Sequence, residues 1–229
     1  MQTILNNGAM LLQIPDILTP PECAAIAAAI AQETLWRDGR DTAQGAARSV
    51  KENLQADRSA PSVKGALAKI EAALGAHDVF SAAAQPAQFI RMTFNRYGEG
   101  MSYGDHVDAP YIEGARTDLS FTVFLSDPND YAGGELVIDN AGHEDRVKGP
   151  LGSVVLYPSA SVHRVATVTA GARLACIGWV KSRVRSAENR ERLFELETVL
   201  ADLRRCGTPQ AVYNRLLNLR NNLLRAYGD

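Results

Sequence analysis

The sequence predicts an α+β fold in which an antiparallel β-sandwich sits between two helical flanks, and three observations lead there. Between about residues 86 and 182 the apolar residues fall in short runs rich in β-branched and aromatic side chains, separated by glycine- and proline-marked turns. That is the pattern of many short strands in a sandwich or barrel. On either side the apolar spacing lengthens to three and four residues, the period of an amphipathic helix. No helical pattern interrupts the middle stretch, so the crossover helices that a parallel Rossmann-type sheet requires are missing. At 229 residues there is room for one sizeable domain with a decoration. The expected organisation is a helical N-terminal flank over 1–85, a β domain over 86–182 and a helical extension over 183–229.

In the first region Thr19-Pro-Pro-Glu22 reads as a helix start, with Thr19 as cap, Pro20 in the first turn and Glu22 completing a capping box. An alanine-rich helix follows to about Gln32. A second helix is read from Val63, Leu67, Ile70 and Leu74, with Gly75 as its stop signal. Between them run the polar, glycine-punctuated segment 36–45 and the stretch Val50–Gln55. In the middle region strands are expected over Gln88–Asn95, Leu119–Leu125, Glu135–Asp139, Ser153–Tyr157, His163–Val168 and Arg173–Val180. Their turns are Tyr97–Gly100, Asp127–Asp130, Gly133-Gly134, Gly149–Gly152 and Ala170-Gly171. After Ser186 two helices are expected, one on Leu193, Leu196, Leu200 and Leu203, the other on Val212, Leu216, Leu219 and Leu223. Cys206-Gly-Thr-Pro209 breaks them apart. Helices this short need something to pack on, and the β domain is the expected support.

Composition excludes several classes. No apolar run approaches the roughly 18 residues that span a bilayer, and the N-terminus lacks a basic region followed by an apolar core. Cys23, Cys176 and Cys206 are scattered, odd in number and without metal-knuckle spacing, which suits a reducing cytoplasm. A net charge of −2 gives no global basic footprint for nucleic acid. Residues 181–229 nevertheless carry ten Lys/Arg against six Asp/Glu, the pattern of a solvated helical surface or, more sharply, of a docking face for an acidic partner.

Chemistry concentrates in the β region. His106 and Asp108 stand one residue apart, His163 follows far downstream, and Arg173 lies ten residues beyond it. Residues i and i+2 of an extended segment point to one face, so His106 and Asp108 can reach the same ion while Val107 turns away. Two imidazoles and a carboxylate occupy one face of an octahedral ferrous ion and leave the opposite positions open. Each piece alone is commonplace; it is their conjunction over plausible strands that predicts a non-haem iron site. A hairpin through Ala170-Gly171 is expected to bring Arg173 beside the strand of His163. There its guanidinium would grip one end of a small dicarboxylate whose other end chelates iron. Phe121, Val123, Leu156 and Trp179 suit either a pocket wall or ordinary core. His77 and His143 lie in polar stretches and are assigned no role, and Glu135 is read as structural.

Residues 88–182 resemble the iron(II)/2-oxoglutarate dioxygenase domain of the prolyl-hydroxylase superfamily, in a double-stranded β-helix or jelly-roll fold. The whole chain resembles its bacterial branch, the PKHD-type hydroxylases associated with iron-uptake genes. The matching features are Asn95-Arg-Tyr-Gly-Glu-Gly100, His106-Val-Asp108, Arg116–Ser120, Tyr131–Leu136, and His163 followed by Arg173. In the flanks they are Trp36–Arg40, Lys51–Gln55, Glu195–Glu197 and Asn222–Arg225. The resemblance implies that His106, Asp108 and His163 hold Fe(2+), that Arg173 pairs with the distal carboxylate of 2-oxoglutarate, and that Tyr97 lies close to it. Lys51, Asn53 and Gln55, alternating as on one polar strand face, would line the substrate entrance. Related prolyl hydroxylases place a tyrosine hydroxyl on the distal carboxylate; here that position is Phe124, with Ser120 or Thr122 as replacements.

The activity implied is oxidative decarboxylation of 2-oxoglutarate with O2, giving succinate and carbon dioxide and hydroxylating a substrate C–H bond. L-ascorbate dependence would follow from the resemblance alone. The substrate would be a peptidyl residue such as proline, or a small metabolite linked to iron uptake. The competing class is a jelly-roll module that senses or binds iron or 2-oxoglutarate without catalysis; Arg173 argues against a bare metal-binding cupin, since metal binding does not require it. Nucleic-acid demethylation ranks last because the main domain is acidic. Oligomeric state is left open.

Overall fold

The computed structural model describes residues 2–6, 9–42, 45–140 and 142–229. Ala43 and Gln44 of the polar loop read from the sequence lie outside these residues. The chain opens with β1 (Gln2–Asn6), β2 (Ala9–Ile14), α1 (Pro20–Ala29), β3 (Trp36–Asp38), α2 (Ala46–Ser49), β4 (Lys51–Glu52) and β5 (Leu54–Ala56). Two helices follow, α3 (Pro61–Ala76) and α4 (Asp78–Ala84). The strand-rich middle comprises β6 (Pro86–Tyr97), β7 (Ser102–His106), β8 (Tyr111–Ile112), β9 (Ala115–Arg116), β10 (Leu119–Phe124) and β11 (Tyr131–Gly133). It continues with β12 (Leu136–Asn140), β13 (His143–Val147), β14 (Val154–Pro158), β15 (His163–Val165), β16 (Val168–Gly171) and β17 (Arg173–Ser182). Helices α5 (Ala187–Arg205) and α6 (Gln210–Tyr227) close the chain.

Two antiparallel sheets face each other in a jelly-roll sandwich. The larger has the order β1-β2-β14-β10-β17-β6-β5-β3 and the smaller β13-β12-β15-β7-β4. Helices α1, α3 and α4 cover the outer face of the larger sheet. Val63, Ile70, Leu74 and Phe80 from the helices join Phe94, Phe121, Val123 and Cys176 from the strands in one core. Strand β10 is buried along its whole length, as expected of a central strand covered on both faces. Between the sheets the interior divides. One end is apolar, with Leu11, Phe124, Leu136, Ile138, Val147, Val155 and Tyr157; the other end is the cavity described below.

The N-terminal flank is less helical than its sequence suggests. Strands β1 to β5 from this region complete both sheets, with β2 pairing to β14, β5 to β6 and β4 to β7. Strands of two or three residues carry no resolvable period, so pairing partners distant in sequence decide their conformation. The helix start at Thr19 is as read: its backbone N–H donates to the Glu22 carboxylate at 2.8 Å. The alanine-rich helix stops at Ala29, and Gly75 lies one residue inside α3 rather than ending it. In the C-terminal extension α5 buries Arg190, Leu193, Phe194 and Leu200. Helix α6 has no buried residue and rests on α5 instead of the β domain, leaving Val212 and Leu219 exposed.

Candidate metal centre

His106 ends β7 and His163 begins β15, and these strands pair so that the two histidines stand directly opposite each other. Asp108 follows two residues after His106 as the chain leaves the sheet. One ligating atom from each of His106, Asp108 and His163 lies within 4.8 Å of the other two, close enough to share one cation. Nδ1 of His106 is 2.8 Å from the Gly104 carbonyl, and Nδ1 of His163 is 3.0 Å from the Ser161 carbonyl. A carbonyl only accepts, so each Nδ1 carries the hydrogen and each Nε2 presents its lone pair to the centre. His163 Nε2 is 3.8 Å from Asp108 Oδ2. Ser120 donates to that same oxygen at 2.6 Å and is itself 2.9 Å from the Ser159 hydroxyl, which fixes the carboxylate.

Electrostatics suit a metal ligand set. Burial holds the His106 imidazole well below the ordinary histidine value, with repulsion from His163 second. Neutral imidazole is the ligating form. Tyr103 stacks on His106 with ring centroids 3.6 Å apart, and Tyr157 meets His163 edge-on at 5.1 Å.

Arg173 is not beside His163, as the hairpin argument expects. It begins β17 in the larger sheet, opposite Tyr97 of β6, while His163 belongs to the smaller sheet. The turn around Ala170-Gly171 instead belongs to β16, which pairs with β11, and the chain crosses the sandwich after it. Arg173 therefore faces the histidines across the interior and lines the same cavity of about 650 Å³. Only 1% of the residue is exposed, and its Nε and Nη2 have no hydrogen-bond partner. The guanidinium lies 5.3 Å from the Tyr97 ring centroid and 5.8 Å from that of Phe124. A buried guanidinium with two open donors is the complement of a carboxylate. Room for it depends on Gly134, at φ +68°, where an added Cβ would stand 3.2 Å from Arg173 Cδ and 3.1 Å from the Tyr131 ring.

Tyr97 is buried beside Arg173, and burial raises its hydroxyl above the ordinary tyrosine value. Phe124 offers a ring and no hydrogen bond. Ser120 is engaged by Asp108, and Thr122 and Tyr157, both lining the cavity, hydrogen-bond to each other on this wall. Lys51 and Gln55 line the cavity too, but from opposite sheets, since Lys51 pairs with Tyr103 and Gln55 with Asn95. Asn53 sits at the corner between them, packed on Gly39, where a Cβ would fall 1.7 Å from its Oδ1. Phe121 and Trp179 border the cavity, whereas Val123 and Leu156 belong to the helix-side core. His77 caps α4 and His143 is exposed on β13, both away from the centre.

Sequence reasoning missed three contributors. Thr93 and Asn95 alternate along β6 with the expected Tyr97 and face the cavity beside it; their polar alternation inside a β run was the available signal. The Ser120–Asp108 bond joins residues from separate strands and left no local mark. Arg91 sits in a register shift of β6 against β17, at φ +39°. Bulges re-aim side chains at functional sites, and here Arg91 turns to Glu113 (itself at φ +51°) at 3.0 Å across the cavity mouth.

Residues 92–181 match the model of the 2OG-Fe(II) oxygenase superfamily. Over 96% of its length this chain aligns with the whole of a PKHD-type hydroxylase from Parvibaculum lavamentivorans at 43% identity. It aligns with one from Acaryochloris marina at 40% identity over the same shares. Among solved structures, a Pseudomonas putida prolyl-4-hydroxylase superposes with a TM-score of 0.53 at 20% identity, covering 76% of this chain and 92% of that one. A Trichoplax adhaerens prolyl hydroxylase, solved with a hypoxia inducible factor oxygen degradation domain peptide fragment, gives 0.55 at 13% identity over 80% and 86%. These structural likenesses extend to the fold. The full-length identity goes further: the chain belongs to the PKHD-type hydroxylases of the 2OG-Fe(II) oxygenase superfamily, enzymes that use ferrous iron, 2-oxoglutarate and dioxygen.

Proposed function

We propose that this enzyme hydroxylates an unactivated C–H bond and converts 2-oxoglutarate and dioxygen to succinate and carbon dioxide. His106, Asp108 and His163 are the iron ligands, and Arg173 anchors the distal carboxylate of 2-oxoglutarate. One observation carries this reading: three ligating atoms within 4.8 Å share a cavity with a buried guanidinium that has two unpaired donors. A bare metal-binding module needs the first of these and not the second, and succinate formation separates the enzyme from a module that only senses 2-oxoglutarate.

When bound, iron and 2-oxoglutarate supply the oxidative chemistry. The chain's part is positional. The Gly104 and Ser161 carbonyls hold the imidazoles with Nε2 inward, Ser120 holds Asp108, and the Tyr97 and Phe124 rings seat Arg173. Tyr97 also lies against the 2-oxoglutarate that Arg173 would hold, and Lys51, Asn53 and Gln55 belong to the substrate side. The substrate is a peptidyl residue such as proline or a small metabolite. No helix is long and apolar enough to cross a membrane, and three free cysteines fit a reducing cytoplasm.

The test is anaerobic loading with Fe(II) and 2-oxoglutarate, then oxygen, with succinate measured in the presence of peptide and small-molecule substrate panels. Succinate from the wild type and none from His163→Ala supports the proposal. Equal yields from both would remove it.

A further inference from the structure

The cavity contains a second buried cation. Lys51 is 5% exposed and lines the same cavity as Arg173. It lies on β4, the edge strand of the smaller sheet, whereas Arg173 belongs to the larger one. Its ammonium donates to Thr42 Oγ1 at 3.1 Å, and the Thr42 hydroxyl donates onward to Gln55 Oε1 at 2.6 Å. The Tyr103 ring centroid is 5.1 Å away.

Among the described residues no carboxylate forms an ion pair with Lys51. The two acids whose charge reaches it are Asp108 and Asp38. Arg40 engages both oxygens of Asp38, its Nε donating to Oδ1 at 3.1 Å and its Nη2 to Oδ2 at 2.6 Å. Asp108 is the carboxylate assigned to iron. Taking an ammonium out of water costs several kcal/mol unless a partner compensates. A hydroxyl and the face of one aromatic ring offset only part of that cost, so Lys51 is poised for an anion that arrives with a ligand.

Charge balance says which ligand. A ferrous ion, Asp108, the 2-oxoglutarate dianion and Arg173 together are neutral, and Lys51 then stands as a net positive charge. The mouth leans the same way, because Arg58 and Arg91 share the single carboxylate of Glu113 at 3.1 and 3.0 Å. Asp41, the remaining charged residue of the lining, faces Arg48. Since 2-oxoglutarate is accounted for at the centre and at Arg173, the missing anion belongs to the substrate.

We infer that Lys51, with Thr42 and Gln55 beside it, is a substrate anion subsite, and that the substrate carries a free carboxylate. This rests on the hydroxylase reading above and narrows it: a free acid or a chain end fits, and an internal residue of an uncharged peptide segment does not.

Calorimetric titration of the full-length protein tests the subsite, with Mn(II) as a redox-inert stand-in for iron and 2-oxoglutarate bound first. The probes are the free L-amino acids and their dipeptides, each beside its C-terminal amide. In the wild type at least one acid should bind tenfold or more tightly than its amide. Lys51→Met should abolish that preference, Lys51→Arg should keep part of it, and Thr42→Val, which leaves the lysine in place, should weaken it severalfold. Melting curves establish that each variant is folded. No acid preferred over its amide, or a preference that survives Lys51→Met, overturns the subsite alone. Failure of the wild type to bind Mn(II) and 2-oxoglutarate overturns the hydroxylase assignment of these residues and the subsite with it.

Discussion

Replacing Arg173 with methionine should separate fold stability from cofactor binding. In the ligand-free protein Nε and Nη2 are buried without partners, and each unsatisfied buried donor costs about 1–3 kcal/mol. Methionine removes that cost and keeps most of the volume. It also removes the cation–π contacts with Tyr97 and Phe124, which contribute about 0.5–2 kcal/mol in total at such distances. Two relieved donors match or outweigh the lost contacts, so ligand-free stability should hold or rise by up to about 5 kcal/mol. Binding should behave differently. Two charge-assisted hydrogen bonds at about 1.5–3 kcal/mol each are lost, so the Kd for 2-oxoglutarate should rise by roughly two to four orders of magnitude. Urea unfolding of the metal-free protein, and the Tm increment produced by 2-oxoglutarate with Mn(II), read the two quantities separately. An Arg173→Met protein destabilised by several kcal/mol, or one with an undiminished Tm increment, would refute this reasoning.

Further expectations follow from the same geometry. Ser120→Ala frees the Asp108 carboxylate and should weaken Mn(II) binding about 10–100-fold with little change in fold stability, as seen by metal titration. Gly134→Ala forces a side chain into a φ of +68° beside Val168 and Arg173; it should cost about 1–3 kcal/mol and also weaken 2-oxoglutarate binding, measurable by unfolding and by calorimetry. His106 is held neutral by burial, so its folded value lies below that of the unfolded chain. Its contribution to stability is complete above the unfolded value of about 6.5 and is lost as the pH falls toward the folded one. The metal-free wild type should lose urea resistance in that window more steeply than His106→Gln.

The strand-rich middle and the C-terminal helix pair were legible because their periods run over enough residues to register. So was the gathering of His106, Asp108 and His163 with Arg173 in one cavity, because that conjunction of residue types is rare enough to stand out. What escaped depended on pairing across long sequence distances. Strands β3, β4 and β5 are two or three residues long, and only their partners β6 and β7 make them strands. Lys51 and Gln55 look like one strand face in the sequence, yet the chain turns a corner at Asn53 and sends them to opposite sheets. Arg173 went to the wrong sheet for the same reason: turn residues mark a reversal without saying which strand receives the chain. Strand β13 is largely polar because it is an edge strand with exposed residues, so no apolar alternation announced it.

The most direct measurement is a crystal structure of the protein grown anaerobically with Fe(II) and 2-oxoglutarate. The account predicts iron bonded to Nε2 of His106, Nε2 of His163 and one oxygen of Asp108, with the distal carboxylate of 2-oxoglutarate on Nε and Nη2 of Arg173 and Lys51 left open. Iron held by other residues, or the distal carboxylate seated on Lys51, would contradict it.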